Sequence, residues 1–106
     1  MPIKVIETKE EFDKFIKENA SKLVVVDFYA DWCGPCKRIA PTLEKWAGEY
    51  TDVIFVKVNV DENSETAEAQ SVSAMPTFKL FKDGKEVDEV VGASENILKG
   101  KIDKLK

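Results

Sequence analysis

At 106 residues, 43% hydrophobic and 34% charged, the chain is long enough to bury a core of its own as a single domain over residues 1–106, with no staple required. A formal charge of −4 gives no general attraction to nucleic acid or an anionic membrane, so proteins and small molecules are the expected partners. Met1-Pro2-Ile3-Lys4-Val5-Ile6-Glu7 lacks the apolar stretch of a signal peptide and no later segment approaches a membrane span, so the expected compartment is the reducing cytoplasm, with nuclear residence left open.

Ile3 to Ile6 reads as a short strand, followed by Thr8-Lys9-Glu10-Glu11, a capping box in which Thr8 and Glu11 satisfy free amides. Phe12, Phe15 and Ile16 give the helix that starts there a core-facing stripe until about Ala20. Leu23 to Tyr29 is apolar at nearly every position, as expected of a central strand covered on both faces. Ile39, Leu43, Trp46, Ala47 and Tyr50 then recur at helical spacing, with Pro35 suited to the first turn and Pro41 expected to kink the interior. Ile54 to Val60 is the next strand, and Ser64 to Gln70 a short polar helix. Thr77 to Phe81 and Glu86 to Val91 form a hairpin through Asp83-Gly84. Ser94 caps a last helix carrying Leu98, Ile102 and Leu105. The order βαβαβαββα implies an α/β fold, a mixed central sheet with helices on both faces.

Cys33 and Cys36 are the only cysteines, and they stand where the central strand meets the second helix. A bridge between them closes a loop of four residues, worth about 2 kcal/mol in the chain-entropy picture, a weak structural reason for the pair. Thiols at this spacing make a reversible dithiol/disulfide switch. With no histidine in the chain, the cation-like partner that favours a Cys33 thiolate is the helix N-terminus, worth up to about 2 kcal/mol. Cys36, one turn further in, is placed to attack a mixed disulfide formed at Cys33. A zinc site is the other meaning of this spacing, but one pair without histidines cannot complete four-coordinate zinc within one chain, which leaves only a metal or cluster shared between chains.

Asp27 interrupts the apolar strand, and Lys57 interrupts the run Val56-Lys57-Val58. Alternation lets both charges share one face of the sheet near the cysteines. A buried Asp27 would have a raised pKa and could exchange a proton with Cys36. A charge at the sheet edge, pointing at solvent, is the alternative. Pro76 reads on composition as no more than a strand-start proline.

Val25-Val26-Asp27-Phe28, Ala30-Asp31-Trp32-Cys33-Gly34-Pro35-Cys36-Lys37, Ala40-Pro41, Lys57-Val58-Asn59-Val60-Asp61, Met75-Pro76-Thr77, Gly84 and Val91-Gly92-Ala93 together resemble the thioredoxin family in order and spacing, over essentially the whole chain. The cytosolic members of eukaryotes are the nearest in pattern. The resemblance implies the thioredoxin fold, five strands flanked by four helices. It implies that Cys33 is the exposed nucleophile, Cys36 the buried resolving thiol, Asp27 the buried acid/base, Lys57 its ionic neighbour and Pro76 a cis-proline facing the disulfide. Substrate would lie extended across Trp32, Gly34, Pro35, Met75, Pro76, Gly92 and Ala93, borrowing main-chain hydrogen bonds at Met75.

The resemblance further implies a general protein-disulfide reductase. Gly34-Pro35 between the cysteines is the dipeptide of reductants, not of the more oxidising relatives. No cofactor or metal would be bound, and electrons would come from NADPH through a flavoprotein thioredoxin reductase. Recipients would include peroxiredoxins, methionine sulfoxide reductases and ribonucleotide reductase. Glu62-Asn63-Ser64 and Ala74 stand where many animal members carry extra cysteines, so a monomer without a covalent dimer is expected. A redox-gated binding module, in which the thiols only switch a docking surface, is the other function class compatible with these residues.

Overall fold

The computed structural model describes residues 3–106; Met1 and Pro2, part of the opening segment read above for a signal peptide, lie outside them. The elements are β1 (Lys4–Val5), α1 (Lys9–Glu18), β2 (Leu23–Tyr29), α2 (Gly34–Glu49), β3 (Val53–Asn59), α3 (Ser64–Ala69), β4 (Thr77–Lys82), β5 (Lys85–Val91) and α4 (Glu95–Leu105). They form one five-stranded sheet in the order β1-β3-β2-β4-β5. β1, β2 and β3 run parallel, while β4 is antiparallel to β2 and β5 to β4.

β2 lies at the centre of the sheet, and its unbroken apolar run Leu23 to Val26 is covered on both faces. Leu23 and Val25 pack on one side with Ile39, Leu43 and Trp46 of α2 and Leu98 and Ile102 of α4. Val24, Val26 and Phe28 pack on the other with Phe12 and Ile16 of α1 and Phe81. Phe12 meets Phe81 edge-on at 5.7 Å between centroids, a geometry worth about 0.5–1.5 kcal/mol beyond the area it buries. By alternation, Asp27 and Tyr29 then point to the α2 face, toward the cysteines.

Several boundaries differ from the sequence expectation. β3 starts at Val53 and ends at Asn59, one residue earlier than expected, because its register with β2 runs from Leu23↔Val53 to Tyr29↔Asn59. Only Lys4 and Val5 of the first apolar run find register partners on β3, so β1 is two residues long. At α1 the Glu11 amide donates to Thr8 Oγ1 at 3.0 Å, but the Glu11 carboxylate takes the Glu7 N–H at 3.0 Å, one residue before the cap. The helix ends at Glu18, where the Asn19 side chain donates to the Phe15 carbonyl at 2.8 Å. α2 continues through Pro41.

Two turns rest on left-handed backbone. Asp83 and Gly84, with φ of 56° and 77°, supply the two positive angles of a tight hairpin. α3 closes with the Ser71 amide donating to Glu68 and the Val72 amide to Ala67, both at 3.0 Å, with Ser71 at φ 58°. This is the double bond pattern that places glycine past a helix end. Relieving the Cβ strain outweighs the added unfolded-state entropy, so Ser71→Gly is expected to stabilise the protein by about 0.5–1 kcal/mol, checked by urea unfolding with an unchanged m value.

Candidate active site

The redox pair is built by the way β2 hands over to α2. After Tyr29 the chain turns through Ala30-Asp31-Trp32, and the Cys33 amide closes back on the Ala30 carbonyl at 3.2 Å. Cys33 is the N-cap of α2 in extended conformation, φ −85° and ψ 110°, and its sulfur accepts the Cys36 N–H at 3.2 Å. Pro35 has no N–H to offer, so the Cys36 amide is the donor that reaches the sulfur. Cys33 and Cys36 are joined in a disulfide, with their Cα atoms 5.3 Å apart.

One expectation needs correcting here. Cys33 is not the exposed partner of a buried Cys36: their exposures are 4% and 5%. Both sulfurs pack in a small cluster with Ala30, against Tyr29, Val60 and Met75, and joining them turns each toward the other. What distinguishes them is position: Cys33 lies between exposed Trp32 and exposed Gly34, whereas Cys36 lines a cavity of about 350 Å³ on the inner side of α2.

Asp27 lines that cavity with Cys36, Lys57, Tyr29 and Leu43. It is 7% exposed and lies on the central strand, which excludes the edge-charge alternative. Among the described residues its Oδ1 has no hydrogen-bond partner. Burial pushes its carboxyl up from 3.8 to about 7, against the opposing pull of the Lys57 charge. Lys57 is the register partner of Asp27 on β3. Its ammonium lies over the Tyr29 ring, 5.2 Å from the centroid, and the described residues form no ion pair within 4.0 Å between Lys57 and Asp27. The ionic neighbour is therefore close in register but not in contact.

The remaining site residues gather on the outer side of the disulfide. Met75 packs against the cysteines, and the Met75–Pro76 peptide is cis. The Gly92 amide, at φ 102°, donates to the Pro76 carbonyl at 2.8 Å, which ties Gly92 and Ala93 to the Met75–Pro76 segment. No backbone hydrogen bond among the described residues uses the N–H or C=O of Met75. Trp32 is 67% exposed, and its indole N–H donates to Asp61 Oδ2 at 2.9 Å. Asp61 stands in the segment that carries the family resemblance but gave no sign of this role: it lies 29 positions from its partner in a polar turn, and the register Tyr29↔Asn59 brings the two loops together. Buried Asn59 holds that turn by accepting the amides of Asp61 and Glu62 at 2.9 and 3.2 Å.

Among the described residues, no group of three or more His, Cys, Asp or Glu side chains could hold a metal ion. No helix among the described residues is long and apolar enough to cross a membrane.

Residues 3–104 match the family model described as Thioredoxin. The chain is 54% identical over 105 residues to thioredoxin of Geodia cydonium, covering 98% of this chain and 99% of that one. The structure of Fasciola hepatica thioredoxin superposes with a TM-score of 0.96 at 50% identity, over 98% of this chain and 100% of that one. A chain from a structural study of the thiol-resolving mechanism in yeast mitochondrial 1-Cys peroxiredoxin via glutathione/thioredoxin systems matches with a TM-score of 0.91 at 42% identity, over 97% and 95% of the two chains. A helix-capping cysteine pair beside a buried carboxylate, on a sheet shared at this identity over nearly the full length, is a dithiol–disulfide reductase centre, and the chain belongs to the thioredoxin family.

Proposed function

We propose that the chain, acting as one domain, is a general electron carrier for protein disulfides in which Cys33 attacks, Cys36 resolves and Asp27 manages the proton between them. In the dithiol state the Cys33 thiolate attacks a substrate disulfide; a new S–S bond forms to Cys33 and one substrate thiolate leaves. Cys36 gives its proton to the Asp27 carboxylate and attacks the Cys33 sulfur. The second substrate thiolate leaves, the Cys33–Cys36 disulfide forms, and two electrons have passed to the substrate. The observation that carries this reading is the shared cavity: a buried carboxyl titrating near neutrality opens onto the same space as Cys36 and not onto the outer surface of Cys33.

The outer surface supports the way substrates would be held. An extended substrate strand would lie across Trp32, Gly34, Pro35, Pro76, Gly92 and Ala93 and take the unused N–H and C=O of Met75. Main-chain recognition reads no sequence, so many disulfides fit. Electrons enter from NADPH through a flavoprotein thioredoxin reductase. Peroxiredoxins, methionine sulfoxide reductases and ribonucleotide reductase are the proposed recipients, in the cytoplasm; the yeast study named above supports the first of these classes. Insulin disulfide reduction with NADPH and a thioredoxin reductase tests the reading. Sustained turnover that stops when the reductase is omitted is expected. Absence of turnover, with partner function retained in a Cys33→Ser, Cys36→Ser double variant, would mean that the thiols switch a docking surface.

A further inference from the structure

Asp27 and Lys57 ought to be an ion pair. They are register partners on adjacent parallel strands, their side chains leave the same face of the sheet, and neighbouring strands are only about 4.8 Å apart. A lysine has the length and freedom to close that gap. It does not close it: the ammonium lies over the face of Tyr29, and Asp27 Oδ1 is left without a partner. Tyr29 follows Asp27 by two residues on β2, so its ring rises from the same face, at the end where the sheet opens toward solvent. The electron-rich face of a tyrosine attracts a cation at this distance.

We propose that Tyr29 is a positioning residue for the reaction, its ring face holding the Lys57 ammonium off the Asp27 carboxyl so that this carboxyl stays free to take and return a proton. The proposal deepens the reading in which Asp27 serves Cys36 and rests on it for its catalytic consequence. An Asp27 locked in an ion pair would remain ionised through the neutral range and lose its use as a proton donor. The other charged groups facing this space do not take the place of the ring. Asp31 precedes the cysteines in the loop, and Lys37 and Glu44 line the cavity from α2, where Glu44 is engaged with the Ile3 amide at 3.2 Å. On the β4 side Asp27 pairs with Phe78, and Lys79 on the opposite face is held by Glu86 and Glu89 at 3.0 and 2.9 Å.

The test is the titration of the Asp27 side-chain carboxyl followed by carbon NMR in the oxidised protein, which reads its charge whether or not it has any part in catalysis. Tyr29→Leu, which keeps an apolar cover but removes the ring, is expected to lower the Asp27 midpoint by about 1 pH unit, because the freed ammonium moves to the carboxyl. Tyr29→Phe, which keeps the ring and loses only the hydroxyl, is expected to restore the wild-type midpoint. In a Lys57→Met background the Tyr29→Leu shift is expected to vanish. An unchanged midpoint in Tyr29→Leu overturns the proposal. So does a shift that persists without Lys57, which would mean that the ring acts by excluding water, or a shift of equal size in Tyr29→Phe. Tyr29→Met serves the same comparison if the leucine variant does not fold. If the midpoints move as expected while the pH profile of disulfide reduction does not follow them, the positioning stands and the proton-transfer role of Asp27 fails.

Discussion

Asp27→Asn is expected to stabilise the oxidised protein by about 4 kcal/mol more at pH 8 than at pH 4. The carboxyl titrates near 3.8 in the unfolded chain and at about 7 in the folded one, because burial on the central strand disfavours its charge. Between those values the folded state keeps a proton that the unfolded chain gives up, so ionisation works against folding. Stability is full below about pH 4, falls as the pH rises toward 7, and stays at its lower value above. Three pH units at 1.36 kcal/mol each set the scale of the loss. Asparagine is nearly isosteric with the protonated acid and inherits the same unpartnered site, so the difference between the two pH values isolates the charge. Urea unfolding at both pH values measures it, and a gain independent of pH would show that the Asp27 carboxyl titrates alike in the folded and unfolded chain, as a well-solvated group does. At pH 8 the variant should melt more than about 10 °C higher, while disulfide reduction near neutrality slows because Cys36 loses its proton acceptor.

The two cysteines are expected to fail in opposite ways. Cys33→Ser should lower insulin reduction by more than about 10³-fold, the scale on which losing a covalent nucleophile acts. Cys36→Ser should also stop turnover, but after one attack, leaving protein joined to substrate through Cys33. Both residues are equally covered in the disulfide state, so exposure gives no reason for the asymmetry. It comes from the cap: the sulfur at position 33 receives the Cys36 amide at the positive end of a 16-residue helix, and that contact steadies a thiolate once the disulfide opens. Non-reducing gels of cell extract incubated with each variant check this. Adducts on Cys33→Ser, or none on Cys36→Ser, would reverse or remove the assignment.

Where physics acts locally, the sequence was a good guide. The limits of β2 could be read residue by residue because an unbroken apolar run has only one way to be covered on both faces, and the N-caps Thr8 and Ser94 sit where their side chains meet free amides three residues on. The burial of Asp27 followed from its place in that run. What depended on pairing between distant segments was harder to see. The shift of β3 by one residue is set by its ladder with β2, the shortness of β1 by how few partners it finds, and the Trp32–Asp61 bond by two loops that only the sheet brings together. The burial of Cys33 comes from packing by Ala30, Cys36, Tyr29, Val60 and Met75, which its exposed sequence neighbours do not reveal. Tyr29 gave no signal beyond its position, because what a half-exposed aromatic holds depends on which cation a neighbouring strand delivers.

A sheet with open margins can pair with the bare main chain of any other protein it meets. Both margins of this sheet are blunted against such pairing. One margin, β1, is two residues long; the other, β5, spaces Lys85, Glu86, Asp88 and Glu89 along seven residues and is offset from β4 at Leu80/Phe81. Short rims, charge and an irregular ladder are the features by which sheets resist fusing with their neighbours. Margins built this way keep the sheet from seeding a growing aggregate.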